Sequence, residues 1–207
     1  MTDSSATRSA TNEAAAAKPL LKHPFRRKNF RLRVLVPVAA AVAVIVVAEP
    51  TRTTVMLGLP LILAGSALRI WATGLLVKTD ELCVSGPYAH LRHPLYAGTL
   101  AIGTGFVLLA GIKVAAVALP LFLGAYFGYY YPYKERVESA RLEEHYGARY
   151  VEYRAAVHGL LPSLRPWKSA AGSAPPPWQF TRFRDNAELG TCVAIALALV
   201  AFSLHAL

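Results

Sequence analysis

Residues 95–133 read LYAGTLAIGTGFVLLAGIKVAAVALPLFLGAYFGYYYPY, two apolar runs, Leu95 to Gly111 and Val114 to Tyr133, separated only by Ile112 and Lys113. Each run reaches the roughly 17 to 25 residues needed to cross a bilayer. A two-residue connection leaves room only for a tight helical hairpin. Three further apolar segments flank it: Val34 to Ala48, Thr54 to Val77 and Leu189 to Leu207. The first of these is the weakest, being short and alanine-rich with Pro37 inside it. Backbone polar groups in lipid must be satisfied within the chain, which favours helices. The expectation is an all-α, polytopic membrane protein with about five transmembrane helices and a cytoplasmic amphipathic helix.

Composition agrees. Of 207 residues, 55% are hydrophobic and 16% charged, and the mean hydropathy is +0.37, too apolar for an ordinary soluble domain. The formal charge of +10 could point to nucleic acid, but the basic residues border the apolar spans rather than forming a separate soluble module. Cys83 and Cys192 lie far apart without a CxxC spacing, so neither a disulfide framework nor a zinc site is indicated, and both read as inert thiols.

Charge also orients the chain, because cytoplasmic loops collect Lys and Arg. With the N-terminus inside, eight basic residues precede the first span, Lys78 and Arg92 lie in the second loop, and nine lie between Lys134 and Arg184. Only Arg52 and Lys113 fall on the other side, and Arg69 sits inside the second span. Arg69 reads either as snorkelling to the interface or as a functional buried cation. Gly98, Gly103 and Gly105 read as close-packing positions; Gly103-Thr104-Gly105 follows no strand and is no dinucleotide fingerprint.

The chain divides into a disordered basic N-terminus (1–33), a membrane domain (34–165), a Pro-, aromatic- and basic-rich linker (166–187) and a C-terminal transmembrane helix (188–207). Thirty-three residues ahead of the first apolar run are too many for a signal peptide, so the N-terminus is expected to be retained.

Two cytoplasmic segments are too patterned to be plain connectors. Asp80 to Gly98, DELCVSGPYAHLRHPLYAG, brings Arg92-His93-Pro94 to a helix start, where Pro94 costs no backbone bond and exposed N–H groups suit an anion. Tyr133 to Leu164 reads as a helix leaving the fourth span. Glu138 and Leu142 are one turn apart, and Tyr146, Tyr150, Tyr153 and Val157 continue the stripe. That helix is either an amphipathic element lying on the bilayer, tyrosines at the headgroups, or the wall of a site.

Together these segments resemble the isoprenylcysteine carboxyl methyltransferase and phospholipid methyltransferase superfamily. Gly86, Tyr88, Arg92, His93, Pro94, Tyr96 and Gly98 match its first block, and Glu138, Leu142, Tyr146, Gly147, Tyr150 and Tyr153 its second, past a helical hairpin. The likeness spans about residues 66 to 165. Ser139 stands where the family usually has a second Glu, Tyr146 replaces Phe, and Asp80 occupies a position that is often His.

The resemblance implies S-adenosylmethionine held between the blocks by Leu82, Tyr88, His93, Pro94, Leu95, Tyr96 and Glu138. It assigns catalysis to Arg92 and Glu138, places Lys134 and Arg136 near a lipophilic acceptor, and requires no metal. The acceptor, a carboxylate or a lipid head group, stays open. Two rivals stand beside this reading: a sterol-type membrane reductase using NADPH, and a non-catalytic membrane protein derived from the family. The alanine content points to a bacterial gene and so to an inner membrane.

Overall fold

The computed structural model describes residues 30–76, 82–168 and 177–205. The expected disorder of residues 1–29, and Lys78 and Asp80, lie outside those residues; residues 30–33, expected to be disordered, instead form the start of a helix. The chain divides into two compact units, Met1–Ala41 and Val42–Leu207. Helix α1, Phe30–Val46, begins in the first unit and ends in the second.

Every element described in the second unit is helical. Helix α2 spans Arg52–Leu75, α3 Pro94–Leu109 and α4 Ile112–Ala125. A π-helical turn, Tyr126–Tyr130, links α4 to α5, Tyr131–Tyr146. Then come α6, Ala148–Ala156, α7, Phe180–Asp185, and α8, Glu188–His205. Among the described residues, two helices are long and apolar enough to cross a membrane, α2 and the continuous 35-residue helix from Ile112 to Tyr146, whose apolar part ends ahead of Lys134. The other apolar helices, Leu35–Val46, Pro94–Leu109 and Glu188–Leu204, are shorter.

Helix α2 starts at a capping box: Thr51 Oγ1 accepts from the Thr54 amide at 3.3 Å, and Thr54 Oγ1 accepts from the Thr51 amide at 2.8 Å. These bonds satisfy donors that a helix start leaves unpaired. Helices α2 and α3 run against each other on glycines spaced seven apart, which share one helix face. A Cβ on Gly58 would lie 2.5 Å from the Gly105 carbonyl oxygen, and one on Gly65 would lie 2.7 Å from that of Gly98. Gly98 and Gly105 are thus packing positions, as expected; Gly103 instead faces the Phe122 ring.

Because the obstruction is backbone, Gly58→Ala and Gly105→Ala should each destabilise the protein by roughly 1–3 kcal/mol, the usual cost of overpacking. Gly124, in α4, has nothing within 4 Å of its would-be Cβ, so Gly124→Ala should gain about 0.5–1 kcal/mol from helix propensity. Thermal unfolding in detergent measures both; losses of equal size at all three positions would remove the close-packing account.

The segment after α4 departs from the sequence reading. Instead of one helix from Tyr133 to Leu164, the chain breaks at Gly147, whose φ of 54° is a conformation that side chains with a Cβ rarely adopt. The stripe nevertheless survives the break. Tyr150 and Tyr153 are 0% and 2% exposed and pack with Val157 and Leu82, bordered by Leu142, Tyr146 and Trp167. Tyr150 and Tyr153 therefore form a protein core and do not lie in headgroups, and Tyr146 borders that core.

Candidate active site

The loop carrying the first block is held mainly by backbone bonds from the chain after α6. Arg92 and His93 amides donate to the carbonyls of His158 and Gly159 at 2.8 and 3.0 Å, and the Ser163 and Trp167 amides donate to His90 and Ala89 at 2.8 and 2.9 Å. Tyr153 adds a bond from its hydroxyl to the Tyr88 carbonyl at 2.7 Å. Burial pushes the Tyr153 phenol far above its ordinary value, so the hydroxyl stays a neutral donor. A strand-like pairing without a sheet thus presents the Arg92 loop to α5.

Between that loop and α5 lies a cavity of about 810 Å³, within the range typical of small-molecule sites. Leu82, Tyr88, Arg92, Tyr96, Lys134 and Glu138, all singled out from the sequence, line it. His93, Pro94, Leu95 and Arg136 do not. Pro94 is the first residue of α3, and Leu95 offers its carbonyl to Arg69 at 3.1 Å. Arg136 is exposed on the other side of α5, so of the two cations placed near the acceptor only Lys134 reaches the cavity.

Glu138 accepts a bond from the Tyr96 hydroxyl through Oε2. The Tyr88 hydroxyl is buried and has no hydrogen-bond partner among the described residues, as is Ser85 Oγ in the same loop. Burial raises the Tyr88 phenol well above its ordinary value, and the nearby Glu138 charge adds to this. An orphaned neutral donor in a cavity wall calls for a partner.

Arg92 is not a loose cation. Nη2 donates to Glu135 Oε1 at 2.6 Å, Nη1 to the carbonyls of Arg154 and Val157 at 2.9 and 3.2 Å, and Nε lies 3.4 Å from His93 Nε2. His93, 4% exposed, pairs with Glu135 Oε2 and stacks on Tyr96 at 5.2 Å. Glu135, which the motif reading passed over, thus joins Arg92 and His93 of the first block. Partial burial works to raise its carboxyl, but the bond to His93 and the charges of His93 and Arg92 outweigh that and hold it at about 2. The available sequence signal was position: Glu135 lies one turn from both Tyr131 and Ser139 on a single face.

Arg141, Glu144 and His145 also line the cavity. Neighbouring Glu143 does not; it pairs outward with Arg154 at 3.4 Å. Arg69 does not snorkel. Its guanidinium holds Glu188 through two bonds of 2.8 and 2.7 Å and donates to Thr99 Oγ1 at 2.7 Å.

No curated protein and no solved structure matches the chain. Residues 41–130 match the isoprenylcysteine carboxyl methyltransferase (ICMT) family; that stretch contains the first block and the hairpin, while Glu138 and the rest of the second block lie beyond it. Over residues 41–130, less than half of its length, the chain is thus similar to the isoprenylcysteine carboxyl methyltransferase family, and the Arg92-His93-Pro94 motif lies within that stretch.

Proposed function

We propose that the protein transfers a methyl group from S-adenosylmethionine to a lipophilic acceptor, a carboxylate or a lipid head group, at the cytoplasmic face of an inner membrane. The observation that carries this reading is the convergence of Tyr88, Arg92 and Tyr96 from one block with Lys134 and Glu138 from the other on a single cavity. The bound cofactor supplies an activated methyl group with a good leaving group. What remains for the chain is to bind, orient and exclude water.

Glu138 suits the amine or ribose hydroxyls of the cofactor, and Tyr88 offers a donor that lacks a protein partner. Aromatic faces at Tyr88, Tyr96 and Tyr146 tolerate a sulfonium. Lys134 provides a cation toward an acidic acceptor. Arg92, bound on all three nitrogens, holds the two blocks together as much as it faces the cavity.

Isothermal titration of the detergent-solubilised protein tests the reading: saturable binding of S-adenosylmethionine and none of NADPH is expected. NADPH binding with no response to the methyl donor would move the protein to the reductase class, and silence toward both would leave a non-catalytic membrane protein.

Five spans with the N-terminus inside put this cavity in the cytoplasm. Ala156 is exposed at the end of α6. With Cys83 and Cys192 replaced by alanine, Ala156→Cys should react with an impermeant maleimide only after the cells are opened. Labelling of intact cells would invert the topology.

A further inference from the structure

Glu135 is placed unlike any other carboxylate of the site. Its Oε1 takes the Arg92 Nη2 donor at 2.6 Å and the Ser139 hydroxyl at 3.2 Å. Its Oε2 faces His93 Nε2 and takes the Tyr131 hydroxyl at 3.2 Å. Both oxygens are thus engaged, and the side chain is 20% exposed against 10% for Arg92 and 3% for His93. It does not line the cavity; it stands behind two neighbouring residues of the loop that does.

Ser139 completes the arrangement. It is 4% exposed, lies one turn after Glu135 on the same face of α5, and, with its one hydrogen given to Glu135, accepts a bond from the Tyr150 hydroxyl at 2.8 Å. This is the position at which the family pattern carries its second glutamate. The serine there bonds to a carboxylate that reaches both Arg92 and His93. The carboxylate is present, displaced by four residues, about 6 Å along the axis.

We propose that Glu135 is the positioning residue of this site: from one turn earlier on α5 it locks Arg92 and His93 into the arrangement that presents the first block to the cavity, in place of a glutamate at position 139. Ser139 is its supporting hydrogen-bond donor and not the mark of a decayed site. The consequence for cofactor binding rests on the methyltransferase reading; the clamp itself does not.

Two readouts on the full chain in detergent separate these. One is S-adenosylmethionine affinity; the other is the rate at which trypsin cuts after Arg92 in the native protein. Glu135→Gln, which keeps the shape and removes the charge, should weaken affinity about threefold to tenfold and speed that cleavage by a similar factor. The exchange Glu135→Ser/Ser139→Glu should restore both to within about twofold of wild type, whereas Glu135→Ser alone should behave like Glu135→Gln or worse. A merely space-filling role would not be rescued by moving the charge one turn. If Glu135→Ser alone fails to fold, Glu135→Gln against wild type carries the decision. Wild-type behaviour of Glu135→Gln in the trypsin readout, or an exchange variant no better than Glu135→Ser, overturns the proposal. Failure of the wild-type protein to bind the cofactor would overturn the methyltransferase reading, while the trypsin readout still decides the clamp.

Discussion

Glu188→Gln should destabilise the protein by about 3 kcal/mol, the largest single loss expected of any conservative substitution in the chain. Arg69 lies inside α2 among apolar residues, and its guanidinium is matched by Glu188 at 2.8 and 2.7 Å, by the Leu95 carbonyl at 3.1 Å and by Thr99 Oγ1 at 2.7 Å. The Glu188 side chain is 3% exposed and that of Arg69 16%. Removing one partner of a buried pair costs roughly 3–5 kcal/mol, because the other charge is left uncompensated. The partial exposure of Arg69 argues for the lower end.

Replacing both, as Arg69→Met/Glu188→Leu, should recover most of the loss, since apolar replacement of a whole pair is often close to neutral. Thermal unfolding in detergent reads both variants. A Glu188→Gln protein that melts with wild type would mean the pair contributes nothing net. The pair also gives the C-terminal helix a place in the domain: Glu188 opens α8, where a carboxylate complements the helix dipole. Just ahead of it, Asn186 Nδ2 donates to the carbonyls of Thr73 and Leu76 at 3.0 and 3.1 Å, closing the end of α2.

How much of this was legible beforehand depended on whether the signal was periodic or pairwise. The apolar segments from Thr54, Leu95, Val114 and Leu189 each became a helix, because hydropathy over a span-length window depends on no partner. The tyrosine stripe was visible too, and its burial kept it in register across a break that the sequence reading did not place. The break needed a single backbone fact, the positive φ at Gly147, and a glycine inside an otherwise helical pattern does not announce its φ. What the sequence hid were the partners. Arg69 and Glu188 are 119 positions apart, and nothing in either neighbourhood names the other. Glu135 was overlooked because it matches no motif position, although its i, i+4 relation to Ser139 put it on the right face. Lys134 and Arg136 could not be separated by type; only the rotation of α5 sends the first to the cavity and the second away.

The motif did name Glu138, and the structure makes it the carboxylate most exposed to test. It sits one turn after Lys134 on the cavity face of α5, and among the described residues Tyr96 is its only hydrogen-bond donor, leaving Oε1 without one. A ligand amine or hydroxyl meeting that oxygen would form a charge-assisted bond worth on the order of 1.5–3 kcal/mol. Glu138→Gln keeps the shape and the contact with Tyr96 but replaces a carboxylate oxygen by an amide group, so it removes the charge that makes the bond strong. The expected result is S-adenosylmethionine affinity lowered at least about tenfold, equivalent to roughly 1.4 kcal/mol. Glu143 is the proper control: half exposed, paired with Arg154 at 3.4 Å on the outer surface, and outside the cavity, so Glu143→Gln should stay within about twofold of wild type. Glu144 cannot serve that purpose, because it lines the same cavity, and an intermediate loss there is consistent with its position. Equal, small changes for Glu138→Gln and Glu143→Gln would remove α5 from the binding site, since a carboxylate that faces a bound cation or hydroxyl cannot be neutralised without cost.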